Sequence, residues 1–109
     1  MMIIYNVTIT IEHSIHEKWL VWINNHINEV LKTKRFTKAI FTKVLTDDIS
    51  QEITYSVQYY AKSKSELEAY IEKDSIALKL DGVNKFGDQM LAFRTKLEFI
   101  KEFKLNPFQ

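Results

Sequence analysis

The sequence predicts an α+β domain, a four-stranded antiparallel sheet with two helices on one face, in the order β-α-β-β-α-β. Two observations carry this expectation. Strands that alternate apolar and polar residues stand beside two long amphipathic segments. The same four-residue signal opens both of those segments: Ser14-Ile15-His16-Glu17 and Ser63-Lys64-Ser65-Glu66. In each quartet the serine hydroxyl can accept from a free first-turn amide while the glutamate three residues on reaches back to the serine amide, a capping box. Two β-α-β halves make a ferredoxin-like sandwich, a scaffold that fixes architecture and leaves chemistry open.

Ile3, Tyr5, Val7, Ile9 and Ile11 alternate with Ile4, Asn6, Thr8 and Thr10, so the first strand spans about 2–12 with its odd positions facing a core. Ile15, Trp19, Trp22, Ile23, His26, Ile27 and Val30 recur at three and four, which places the first helix at about 15–32 with one apolar stripe. Lys32-Thr33-Lys34-Arg35 then sets cations at its carboxyl end, where the macrodipole favours them. The segment from Phe36 to Thr46 is β-rich and apolar on both faces, with Phe36, Ile40 and Val44 on one and Ala39, Phe41 and Leu45 on the other. Such a strand wants cover on both sides, and a single bulge would exchange its faces.

Asp47 to Gln51 reads as a turn, and Ile53, Tyr55, Val57 and Tyr59 form the core face of the third strand. The second helix begins after Ser63. Its stripe of Leu67, Tyr70 and Ile71 passes into a looser phase through Leu78, Gly82, Val83 and Phe86, so a break or kink is expected near Asp74-Ser75. Gly87 reads as a left-handed C-cap. Leu91, Phe93, Thr95, Leu97 and Phe99 then alternate with Ala92, Arg94, Lys96 and Glu98 as the fourth strand. A tail, Lys101 to Gln109, carries Phe103, Leu105 and Phe108 beyond it.

No linker or low-complexity tract interrupts the 109 residues, which read as one domain over 1–109 able to bury roughly 65% of its unfolded surface. The absence of cysteine removes disulfides and thiolate chemistry and suits a reducing compartment. A formal charge of +1 offers no large field for nucleic acid or an anionic membrane. No apolar run approaches a membrane span, and the first residues lack the pattern of a secretory signal. A cytoplasmic location is expected.

With both helices on one face and the usual strand order 4-1-3-2, the opposite face is built from Ile4, Asn6, Thr8, Thr10, Thr54, Ser56, Gln58 and Tyr60. One face of strand two joins it, with Ala92 and Arg94 from strand four. A half-apolar open face suits a two-fold homodimer in which two sheets meet, a dimeric α/β barrel. A cleft floored by hydroxyls and amides would be its natural ligand pocket. Asn6, Gln58, Tyr60 and Arg94 are the candidate ligand-binding residues, fit for a small acidic or carbonyl-bearing molecule because arginine supplies a two-pronged donor.

The segments Met2-Ile3-Ile4-Tyr5-Asn6-Val7-Thr8, Trp19-Leu20-Val21-Trp22, Ile53-Thr54-Tyr55-Ser56-Val57-Gln58-Tyr59, Phe86-Gly87-Asp88 and Ala92-Phe93-Arg94-Thr95 carry a resemblance. They resemble an uncharacterised family of short proteins from Bacteroidetes-type bacteria, across nearly the whole chain except the last ten or so residues. That resemblance implies no particular activity. The architecture is more remotely similar to the dimeric α/β-barrel superfamily, which includes cofactor-free monooxygenases, haem-degrading monooxygenases and lactone isomerases. In the haem-degrading members an asparagine of the first strand projects into the pocket, as Asn6 would. Here strand three has no tryptophan and the second helix no histidine, so neither haem nor another cofactor is expected.

His13 and His16 flank Ser14 at a helix entrance, a spacing that differs from the His-Glu-x-x-His of a helical zinc site, and no metal is expected. His26 and the two tryptophans read as packed core. Lys32, Lys34, Arg35 and Lys38 form a basic corner without a groove-reading motif, and two glycines leave no phosphate cradle. The reading is a cytoplasmic dimeric binding or interaction module with a small-molecule cleft on its sheet face. The alternative is a cofactor-free monooxygenase-like or isomerase-like enzyme in which Asn6, Gln58, Tyr60 and Arg94 position the substrate.

Overall fold

At the centre of the sheet lies β1, Ile3–Glu12, paired antiparallel on one side with β3, Glu52–Ala61, and on the other with β4, Met90–Glu98. With β2, Phe36–Lys43, outside β3, the order is β2-β3-β1-β4, the predicted order read from the other edge. These relations come from a computed structural model that describes residues 1–46 and 52–108, so the turn expected at Asp47 to Gln51 lies outside the described residues.

The odd side chains of β1 are buried from Ile3 to Ile11, and register places Val57 opposite Val7 and Tyr59 opposite Tyr5 on the same face. Helix α1, His16–Lys32, lays Trp19, Ile23 and Val30 on that face. Trp19 is fully buried, its ring stacked on Tyr55 at 5.0 Å between centroids. The second helical segment adds Leu67, Tyr70 and Phe86, completing one core between sheet and helices.

The second capping box forms in part and the first does not form. Ser63 precedes α2, Lys64–Ala69, in extended conformation, and its Oγ accepts from the Glu66 amide at 3.2 Å. Ser14 caps nothing. β1 runs on to Glu12 and a 3-10 turn over His13–Ile15 carries Ile15 into the core, so Ile15 occupies the N-cap position of α1 and Ser14 is left exposed. The Ser14 hydroxyl instead lies 3.5 Å from Glu12 Oε2, and both accept from Gln89 Nε2, tying the head of α1 to the start of β4.

A bulge between Phe36 and Lys38 settles the two-faced strand. Phe36 sits opposite Ala61 and packs toward the helices, with Tyr59 at 5.2 Å and Tyr70 at 4.8 Å. After the slip, Ala39 and Phe41 take the helix side and Ile40 the open side, so Phe36 and Ile40 do not share a face as the plain alternation had them.

The expected break in the second helix is a π-helical turn, Tyr70–Asp74, between α2 and α3, Ser75–Phe86. One extra residue per turn shifts the phase of the apolar stripe, which is why Tyr70 and then Leu78, Gly82 and Phe86 all meet the sheet side. Arg35 clips this region to the end of α1, with Nε 3.0 Å from Asp74 Oδ2 and a guanidinium nitrogen 3.7 Å from Glu66. At Gly82 a side chain would stand 2.8 Å from the Met90 methyl and 2.9 Å from the Trp22 ring, so α3 comes this close to α1 only because the position is glycine. Gly87 follows with φ +57° and ψ −133°, a positive-φ conformation that glycine tolerates.

Candidate functional site

Two surfaces compete for a functional role, and the residues predicted to share one cleft are divided between them. Asn6, Gln58 and Tyr60 do lie on the open face, paired across β1, β3 and β2 as Asn6 with Gln58 and Tyr60 with Lys38. Their polar groups are already engaged. Ser56 Oγ donates to Asn6 Oδ1 at 2.7 Å, and Asn6 Nδ2 donates to Thr8 Oγ1 at 3.2 Å. Tyr60 OH donates to Gln58 Oε1 at 3.3 Å, and the Lys38 ammonium sits 4.6 Å over the Tyr60 ring. Thr10 and Thr54 bond each other at 3.0 Å. A stripe whose hydroxyls and amides satisfy one another offers a ligand little.

Around this stripe the open face is apolar. β4 pairs Leu91 with Thr10, Phe93 with Thr8 and Leu97 with Ile4, so its odd residues share the open face. Phe93 is 66% exposed and Leu91 56%, and Ile40 stands exposed across the sheet.

The same register overturns the placement of Ala92 and Arg94. Arg94 pairs with Val7 and Ala92 with Ile9, both buried under the helices, so Arg94 and Ala92 face the helix side, across the sheet from Asn6, Gln58 and Tyr60. The sequence expectation had assigned the more apolar set of β4 to the core. In an edge strand at this register that set points outward, and the small and charged set borders the space beneath α1 and α3.

That space is a cavity of about 50 Å³ lined by Arg94, Lys79, His26, Tyr5, Tyr59 and Tyr70, with Trp22, Leu78 and Met90 among its apolar walls. Arg94 and the Tyr5 phenol line it together, close enough for the guanidinium to act on the phenol. Burial holds the phenols of Tyr59, Tyr70 and Tyr5 above their ordinary range, and for Tyr5 the Arg94 guanidinium opposes the rise. Burial pushes the Lys79 ammonium down, and Arg94 adds like-charge repulsion. Burial likewise holds the His26 imidazole below its usual 6.5, with Asp81 pulling the other way. The His26 ring stacks on Trp22 at 4.4 Å between centroids.

The acids nearby are engaged elsewhere: Asp81 accepts from Trp22 Nε1 at 2.8 Å and Asp74 holds Arg35. Among the described residues neither Arg94 nor Lys79 forms an ion pair. Two cations under a roof of protonated phenols make a small donor-rich recess with no facing carboxylate. Its phenolic wall depends on the π turn, a feature frequent at functional sites, which carries Tyr70.

Sequence reading had taken Tyr5, Tyr59, Tyr70 and His26 for plain core and passed over Lys79. The available signal was an arginine at a strand position adjoining buried β1, visible once β4 is set in register against Ile9 and Val7. At the other end of the sheet, His16 Nε2 meets Tyr55 OH at 2.6 Å and His13 lies 6.1 Å from His16 between ring centroids. Among the described residues no three His, Asp or Glu side chains gather as a metal site, and no helix is long and apolar enough to cross a membrane.

Sheet order, helix placement and an uncovered sheet face define a ferredoxin-like α+β sandwich. Within that class the chain belongs to the DUF4286 family, a domain of unknown function, whose model matches residues 2–100. Among solved structures it is similar to a dimeric ferredoxin-like protein from an uncultured marine organism, at 12% identity and TM-score 0.71, covering 94% of this chain and 98% of that one. A second dimeric ferredoxin-like protein of the same source matches at 16% identity and TM-score 0.61, covering 94% and 99%. SnoaB, a cofactor-independent oxygenase from Streptomyces nogalater, matches at 5% identity and TM-score 0.65, covering 92% and 95%. No curated protein matches the chain. At these identities the likeness is one of fold.

Proposed function

We propose that this protein is a cytoplasmic homodimeric binding module whose open sheet face is the contact between copies and whose helix-side recess takes the carboxylate of a small organic molecule. One observation carries the reading: β4 turns its apolar residues outward and its arginine inward. The outward set gives the open face exposed apolar strips beside a saturated polar stripe, and an exposed apolar patch of this kind suits a protein contact. That two solved neighbours are dimeric ferredoxin-like proteins supports association between copies.

The inward set gives the recess its cations. Arg94 would fork a carboxylate, Lys79 would add a second charge, and the phenol of Tyr5 would donate a hydrogen bond. The likeness to SnoaB admits an enzyme reading, but the geometry favours binding. Asn6, Gln58 and Tyr60 do not converge with Arg94, so the polar groups that would position a substrate are divided between the two sides of the sheet.

Sedimentation at tens of micromolar tests the first half: a dimer is expected, and a monomer overturns it. For the second, titration with benzoate followed by amide NMR should move His26, Lys79 and Arg94 together, with the response abolished in Arg94→Leu. Shifts elsewhere, or shifts that survive the substitution, count against the recess.

A further inference from the structure

Phe99 makes the last backbone hydrogen bond between the end of β4 and the rest of the fold, its amide donating to Met2 O at 3.0 Å. Beyond it the chain runs on to residue 108 outside helix and sheet, yet it is not composed like a solvated tail. Ile100 is 79% exposed, and Phe103, Leu105 and Phe108 are each more than four-fifths exposed. The polar contacts within it are local: Lys101 over the Phe103 ring at 4.9 Å and the Phe108 amide on Asn106 Oδ1 at 2.9 Å. Large apolar side chains left this bare call for a covering surface.

The alternation of β4 continues into this segment. Leu91, Phe93 and Leu97 occupy the odd, open-face positions of the strand, and Phe99, Phe103 and Leu105 keep the same parity, until Pro107 ends any capacity for ladder pairing. β1 supplies partners only as far as Ile3 opposite Glu98. Residues 100–106 are therefore strand-patterned chain overhanging the end of their own sheet, roughly 23 Å if extended.

We infer that residues 100–108 form an arm that crosses to a second copy of this chain and lies along that copy's sheet, with Phe103 and Leu105 against its open face. The inference rests on the dimer proposed above. Area singles out the second copy as the occupant. The outward side chains of the sheet proper offer roughly 400 Å² of apolar surface, half of the about 800 Å² per partner of a standard interface. Phe103 and Leu105 of the arm add roughly 350 Å² more, continuous with the same apolar row. Exchanged symmetrically, two arms bring the contact to ordinary size.

The absence of cysteine permits a direct test. A nitroxide on Lys104→Cys, a position of the opposite parity, is mixed with isotope-labelled chain that carries no nitroxide. Amide signals around Ile40, Phe93 and Thr95 of the labelled copy should be broadened. A chain ending after Ile100 should have its dimer dissociation constant raised by at least about tenfold, with the thermal unfolding of the monomeric body unchanged; Phe103→Ser with Leu105→Ser should do the same. A dimer by sedimentation with no intermolecular broadening, or one untouched by the truncation, overturns the arm and leaves the sheet-face dimer standing. A monomer overturns both.

Discussion

Ile40 and Phe41 are neighbours in the chain and opposites in the fold, and a lysine at each should produce two different failures. Ile40 is 41% exposed on the open face opposite Gln58, so about 70 Å² of it is free for a partner to cover. At about 25 cal/mol/Å² that is about 1.8 kcal/mol per protomer, or about 3.5 for the two copies in a dimer. Ile40→Lys should therefore weaken self-association by about three-hundredfold with circular dichroism and urea midpoint of the monomer unchanged. Phe41 is half-buried on the helix side, its ring 6.1 Å from Trp19 and 5.2 Å from Tyr55. Phe41→Lys removes those contacts and pushes an ammonium toward apolar rings, a cost of about 3 kcal/mol in stability. Sedimentation against concentration and urea unfolding separate the two readouts. The reasoning is refuted if Ile40→Lys destabilises the fold as much as Phe41→Lys, or if Ile40→Lys leaves the dimer intact.

Gly82→Ala should cost about 1–3 kcal/mol of unfolding free energy, because its methyl would overlap Trp22 and Met90 in a packed seam; a neutral result means α3 stands further from α1. Ser63→Ala should lose about 1 kcal/mol with its cap bond while Ser14→Ala changes stability by less than about 0.5, and equal urea midpoints in the two variants contradict that. Gly87→Ala should also destabilise, by about 1 kcal/mol or more, although the space around it is empty, because φ +57° with ψ −133° strains any side-chain-bearing residue. Burial holds the folded-state pKa of His26 below its ordinary 6.5, so the unfolded chain takes up the proton first and stability falls as pH drops from 6.5 toward the folded value. His26→Gln should flatten that acid limb in urea titrations; parallel limbs in the two proteins would remove the buried imidazole as its cause.

The parts of the fold legible in the sequence are those where local pattern and tertiary environment agree. β1 and β3 lie inside the sheet with one face under helices, so their period-two alternation maps directly onto burial, and Ile3 to Ile11 and Tyr55 to Tyr59 are buried as their spacing requires. The Ser63 cap was legible because its chemistry is complete within four residues. Ser14 has the same four-residue signature and fails because Ile15, a tertiary anchor, pulls the chain into a 3-10 turn before α1 begins. The bulge after Phe36 has no signature beyond the two-faced apolarity that it resolves.

The division of the candidate site follows from a different cause, and it is where fold and function meet. In β4 the apolar set is the larger one, and a rule that sends apolar residues inward presumes that a chain has only its own core to fill. An edge strand that also served a second copy, as proposed above, would break the presumption: its outward residues would be apolar because another molecule covers them, and its inward residues could be small or charged because they border a recess. Arg94 is then a group that the helices leave room for, with Ala92 and Tyr5 lining the same recess. One strand would in this way set the association surface and the ligand surface on opposite sides of a single sheet. Closing the open face with a partner would therefore leave the recess accessible, and substitutions at Phe93 and at Arg94 should be separable in effect, the first moving the dimer constant and the second the benzoate response.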